Sequence, residues 1–118
     1  MFDKIKQLME MKNKMEVKIE DGWTVFDIMP AGPNSCRGAS VFKRMLEEYP
    51  KSICITQESD SYKIKGNYKP TLISLLCMLG DCYADNIGLK VMVEGDDEDA
   101  LNFANRIYDK LKEKDPNV

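Results

Sequence analysis

Asp21-Gly22 stands between two runs in which apolar side chains alternate with polar ones, and few local patterns restrict a chain more. Upstream, Met15, Val17 and Ile19 alternate with Glu16, Lys18 and Glu20; downstream lies Trp23-Thr24-Val25-Phe26-Asp27-Ile28-Met29. A period of two puts alternate side chains on opposite faces of a strand, and an Asp-Gly pair supplies the two positive-φ positions of a tight turn. The pattern predicts a strand over residues 16–20 paired with a strand over residues 23–29, covering what would otherwise be a bare edge. Trp23 is expected to anchor that pair by packing, since a buried aromatic contributes large contact area.

The remaining punctuation is equally local. Residues 2–15 carry Ile5, Leu8 and Met15 near helical spacing, which predicts a short amphipathic helix that packs back on its own domain or meets a partner. Pro30-Ala31-Gly32-Pro33-Asn34-Ser35 is a turn cluster, and Phe42, Met45, Leu46 and Tyr49 then form one helical face that Pro50 stops. Ser52 to Gln57 reads as a strand, Ser59-Asp60-Ser61 as a turn and Tyr62 to Lys65 as a short returning strand. Pro70 is placed at the first position of a helix whose apolar run ends at Gly80. Gly88 to Glu94 alternates as a half-buried strand does. Ala100, Leu101, Ala104, Ile107, Tyr108 and Leu111 follow helical spacing, with Asp96 to Asp99 at the start and Lys110, Lys112 and Lys114 at the end, each sign where the helix dipole favours it. The order α, β(β)αββαβα predicts an α+β fold, an open-faced sandwich whose mainly antiparallel sheet carries helices on one face.

Composition limits the chemistry. A chain of 118 residues with 43% hydrophobic and 31% charged residues suffices for one folded domain. The net charge of −3 and the lack of a long basic run argue against nucleic acid. The run Leu72 to Leu79 is far shorter than the roughly 20 residues that span a bilayer, so no membrane association is expected and the chain reads as cytoplasmic. Its 4 cysteines, at positions 36, 54, 77 and 82, lack a C-x-x-C pair and are expected to be free thiols. Cys54, Cys77 and Cys82 read as core fillers, and neither metal nor cofactor is expected. The sequence contains no histidine, which removes imidazole as base, nucleophile or phosphate acceptor.

With these elements in order, Trp23 to about Leu111, roughly three quarters of the chain, resembles the HPr family, the phosphocarrier of the bacterial phosphoenolpyruvate sugar phosphotransferase system. Pro33-Asn34-Ser35-Cys36-Arg37-Gly38-Ala39 occupies the place of the family's active-site turn, Leu79-Gly80 that of the end of its short helix, and Glu94-Gly95-Asp96-Asp97-Glu98-Asp99-Ala100-Leu101 that of the opening of its last helix. The resemblance implies an HPr-like domain over residues 21–114, preceded by the extra helix and strand of residues 1–20 and followed by a tail at 115–118. The departures are chemical. Arg37 matches the family's active-site Arg, which places Ser35 where the phosphoacceptor His should stand and Gly38 where Pro is usual. Leu72 falls at the position of the family's regulatory Ser, with Thr71 one residue away. The resemblance and its departures together imply an HPr-like fold without HPr phosphocarrier activity.

Ser35, Cys36 and Arg37 at a helix start form a candidate place for a phosphate or carboxylate; the simpler reading is that Asn34 or Ser35 caps the helix and Arg37 is solvated. Cys36 beside Arg37 is a candidate reactive thiol, although no base lies nearby in sequence. Leu72, Leu75, Leu76 and Met78, with Ile73, exceed what one buried helix face needs, and the resemblance implies that this helix meets partners. Three functions compete: a non-catalytic regulatory or adaptor module that binds a regulator or metabolic enzyme, a switch phosphorylated on Ser35 or Thr71, and a thiol or redox function at Cys36. The assembly expected is a monomer or weak homodimer.

Overall fold

A computed structural model describes residues 15–57 and 63–114. Four strands form one antiparallel sheet: β1 (Lys18–Glu20), β2 (Trp23–Ile28), β3 (Ile53–Gln57) and β4 (Leu89–Glu94), in the order β1-β2-β4-β3. Three helices join them: α1 (Cys36–Leu46), α2 (Leu72–Asp85) and α3 (Glu98–Lys112). The fold is the expected α+β open-faced sandwich. The helix expected over residues 2–14, the turn at 59–61 and the tail at 115–118 lie outside the described residues.

The hairpin forms as its turn chemistry requires. Asp21 and Gly22 take φ values of 54° and 84°, and Ile19 pairs with Thr24 across the turn. Period two then sorts the sheet into two faces. Phe26, Ile28, Ile53, Ile55, Leu89, Val91 and Val93 meet Phe42, Leu46, Leu75, Leu79, Leu101, Ala104 and Ile107 of the helices in one core. Met15 and Val17 also lie in that core, so the chain just before β1 belongs to the domain rather than to an appendage. Trp23, Val25, Cys54 and Met92 make a second buried cluster on the opposite face, with Tyr68 packed against it. Each such side chain removed from water contributes roughly 1.5–3 kcal/mol.

Three sequence expectations are corrected. Lys63 to Lys65 is not a strand; Tyr62 lies outside the described residues. The chain after Lys65 is instead held to β3 and β4 by a carboxylate, as Glu94 Oε1 accepts from the backbone N–H of Ser52 and of Gly66, each at 3.1 Å. Pro70 lies outside α2, whose N-cap is Thr71. Nor does Gly80 end that helix, which continues to Asp85 and closes on Asn86 in the left-handed conformation at φ 57°. A glycine inside a helix is a propensity cost of about 1 kcal/mol that tertiary packing overrides, here through Leu79 and Cys82 on its buried side. The helix α1 ends at Leu46, and residues 47–49 continue as turns before Pro50.

Gly95 joins three parts of the fold. Its N–H donates to Gly22 O at 2.8 Å, its carbonyl accepts from the buried Thr24 hydroxyl at 2.8 Å, and its φ is +119°. A Cβ there would lie 3.1 Å from Tyr49 Oη and 3.2 Å from Ala100 Cβ. Gly95→Ala is therefore expected to destabilise by more than about 1 kcal/mol, with a lower Tm in calorimetry; an unchanged Tm would contradict the strain.

Glu94 makes the fold sensitive to acid. Burial alone would raise its pKa, but hydrogen bonds from the Ser52 and Gly66 amides and the Ser52 side chain, with Lys51 nearby, hold it below the usual carboxylate range. A folded value below the unfolded one means that this stabilisation is present above the unfolded pKa, about 4.3, and is lost as pH falls through the folded value. Glu94→Gln should be less stable than the parent at pH 7, and the gap should narrow in urea titrations taken towards pH 3. A gap independent of pH would show that the carboxylate charge is not its cause.

Candidate functional site

The start of α1 is built from its cap. Ser35 is extended, and its hydroxyl accepts from the Gly38 N–H at 3.0 Å while its carbonyl accepts from Ala39 N at 2.9 Å. This is the capping reading of Ser35: the side chain satisfies one of the amides that a helix start leaves unpaired. Cys36 and Arg37 follow as the first two helical residues, and both are exposed. Gly38 and Ala39 are buried beneath them, which fixes the direction in which the two exposed side chains leave the helix.

The loop that enters α1 is fastened to α3. Ala31 N and Gly32 N donate to Leu111 O at 2.7 and 3.4 Å, and Lys112 Nζ donates to Met29 O at 3.3 Å. Carbonyls at a helix end lack intrahelical donors, so the two loop amides satisfy Leu111 and hold the loop in the same act. The peptide between Gly32 and Pro33 is cis. On its other side the loop meets α2: residues Pro30 to Asn34 share a small cleft with Leu79 and Tyr83.

Helix α2 presents its own surface beside that loop. Leu75, Leu79 and Cys82 face the core. Leu75 is 1% exposed, which corrects its assignment to a partner-binding surface, while Leu72, Leu76 and Met78 are only partly buried. Ile73 and Tyr83 are each 75% exposed, and Cys77, Gly80 and Ala84 are exposed with them. Residues 73, 76, 77, 80, 83 and 84 recur at three- and four-residue spacing, so they occupy about a third of the helix circumference. Cys77 therefore belongs to the surface and not to the core, against the expectation from sequence. Tyr83 lies beyond the helix end that Gly80 suggests, so periodicity up to Gly80 gives no signal for it.

A scan against protein-family models, a search of the curated proteins and a search of the solved structures return no match. The fold and the residues themselves therefore carry the functional reading.

Thr71 is at the far end of α2. It is exposed, its hydroxyl accepts from Ser74 N at 3.1 Å, and it stands about 18 Å of helix axis from Tyr83. The two candidate phosphorylation sites, Ser35 and Thr71, are thus both N-caps but do not share a site. Cys54 and Cys82 are buried free thiols, and burial pushes the Cys54 thiol up, away from nucleophilic character. At the opening of α3, Asp97 is the N-cap, accepting from Ala100 N at 3.0 Å, and Glu98 and Asp99 lie in the first turn, as their sequence positions implied. Among the described residues no helix is long and apolar enough to cross a membrane.

Ser35→Ala is expected to lower stability by about 1 kcal/mol, whereas Ser35→Asp should retain the cap and most of the stability. Urea denaturation distinguishes them, and identical midpoints for the three proteins would contradict a capping role.

Proposed function

We propose that this chain is an HPr-like protein-binding module without phosphohistidine carrier activity, which docks a regulator or metabolic enzyme through α2 and the adjoining start of α1. The observation that carries the reading is the pair Ile73 and Tyr83, each three-quarters exposed on the same side of a helix that bears no Lys or Arg. Large apolar side chains gathered on one solvent-facing stripe gain by being covered, and a partner is the usual cover. Arg37, exposed at the neighbouring helix start, offers that partner's carboxylate or phosphate a guanidinium fork. The element order, a strand, a capped turn into α1, then β3, α2, β4 and an acid-led α3, supports the family resemblance, although the hairpin's returning strand is missing at Lys63 to Lys65. In this reading the module is cytoplasmic, needs no cofactor and acts in the regulation of sugar uptake or carbon use.

A second reading is favoured by Thr71, whose exposed hydroxyl already sits at the cap of the docking helix. Phosphate there would add up to two negative charges beside the positive end of α2, altering the charge presented to a partner without a large structural cost. A redox function at Cys36 has less support, because no other cysteine and no base lies next to it in sequence.

Two experiments test the main reading. Ile73→Asp/Tyr83→Asp should leave Tm nearly unchanged, since exposed substitutions cost within about 0.5 kcal/mol, while abolishing capture of the partner that the parent protein retains from its own cell extract. Retention of that partner by the variant would move the interface elsewhere. Incubation with phosphoenolpyruvate and the general phosphotransferase enzymes should give no acid-labile phosphoprotein, and appearance of one would restore a carrier role.

A further inference from the structure

At the other end of α1, about 16 Å along its axis from Ser35, a cleft of about 340 Å³ opens between the turn after the helix and the first half of α3. Its floor is aromatic: Tyr49 and Phe103 lie 4.9 Å apart with their rings tilted by 34°. Asp97 and Asp99 line it from α3, and Glu48 and Lys51 from the α1 side. Arg106 places its guanidinium carbon 5.0 Å above the Phe103 ring and bonds Glu48 Oε1 at 3.3 Å through both terminal nitrogens.

This arrangement already holds one planar cation of the chain's own, on an aromatic face and against a carboxylate. Guanidinium groups are weakly hydrated and stack on such faces more readily than ammonium groups do. The Arg106–Glu48 pair accounts for one positive and one negative charge, which leaves two carboxylates, Asp97 and Asp99, opposite the single ammonium of Lys51. The field at the floor is negative in sign: burial first, then Asp97, Glu94 and Asp99, push the Tyr49 hydroxyl up to about 12. The volume lies at the lower end of ligand clefts and matches a side chain better than a cofactor.

We propose that this cleft receives an arginine side chain from a protein partner, its guanidinium seated against Asp97 and Asp99 at the edge of the buried Tyr49–Phe103 pair, whose Phe103 face Arg106 already covers. The contact is separate from the α2 surface and does not depend on it. An arginine-bearing partner would meet the module at the end remote from Ser35, Cys36 and Arg37.

The probe is N-acetyl-arginine amide, titrated into the full chain labelled with ¹⁵N and observed by NMR. Saturable shifts at Tyr49, Lys51, Asn102 and Phe103, with none at Ile73 or Asp81, are expected at concentrations on the order of 10 mM, the range for a single solvent-exposed charge contact. Asp97→Asn/Asp99→Asn should weaken binding at least about fivefold, and because asparagine caps a helix as well as aspartate does, the fold is kept. Asp99→Asn alone, at an exposed position, serves as the second variant and should weaken binding by a smaller factor. Three results would overturn the proposal: no shifts in the cleft, equal binding by the double variant, or shifts spread over Asp81 and Asp85 as well. Binding of spermine with none of the arginine amide would also overturn it, by assigning the cleft to a free polyamine.

Discussion

The strand β4 is paired along its length on both sides, with β2 from Trp23↔Glu94 to Ile28↔Leu89 and with β3 from Ile53↔Val93 to Gln57↔Leu89. Every strand other than β1 touches it, and its two faces supply both apolar clusters: Leu89, Val91 and Val93 to the helix side, Met92 to the cluster with Trp23 and Cys54. A strand so placed must carry apolar residues on both faces, and the sequence Leu89-Lys90-Val91-Met92-Val93-Glu94 does so at its centre. Its two polar residues have separate duties. Lys90 lies beside the charged edge of β1 and β2, and Glu94 holds the Ser52 and Gly66 amides.

From that strand the positions of the exposed surfaces follow. Gly95, directly after β4, turns the chain into α3, and α3 returns across the sheet so that its Leu111 carbonyl receives both the Ala31 and Gly32 amides. The entry to α1 is therefore set by the far end of α3, through bonds that need no particular side chain at positions 31 and 32. On this scaffold Ser35 is spent on capping, Cys36 and Arg37 face outward, and Tyr83 of α2 closes the small cleft beside them. Ile73 and Tyr83 on the α2 surface and the guanidinium of Arg37 at its margin are the parts from which the proposed binding surface is built.

The sequence disclosed those features whose cause is local. The turn at Asp21-Gly22 needs only two positive-φ residues, the cap at Ser35 only a hydroxyl three residues before an amide, and the acidic opening of α3 only a helix dipole. Features with a tertiary cause are not legible in this way. Gly80 has the look of a helix end because a glycine often is one, yet the burial of Leu79 and Cys82 carries the helix on to Asn86. Lys63 to Lys65 has the composition of a strand, and the Glu94 carboxylate, contributed from a strand 28 residues from Gly66, determines the path of the following chain instead. Leu75 and Ile73 cannot be told apart by type, since both are large and aliphatic; only the packing of α2 against the core assigns one inward and the other to solvent. The cleft lined by Tyr49 and Phe103 has no sequence signal at all, because the turn after α1 and the first half of α3 that supply them are more than fifty residues apart.

The central proposal is that the chain acts by surface complementarity and not by carrying phosphate. Its most direct test is the intact mass of the protein purified from its own cells, with peptide mapping across Ser35, Cys36 and Thr71. An unmodified chain at all three positions is the predicted result. Stoichiometric phosphate on Ser35 or Thr71 would contradict the proposal and make covalent switching the primary function.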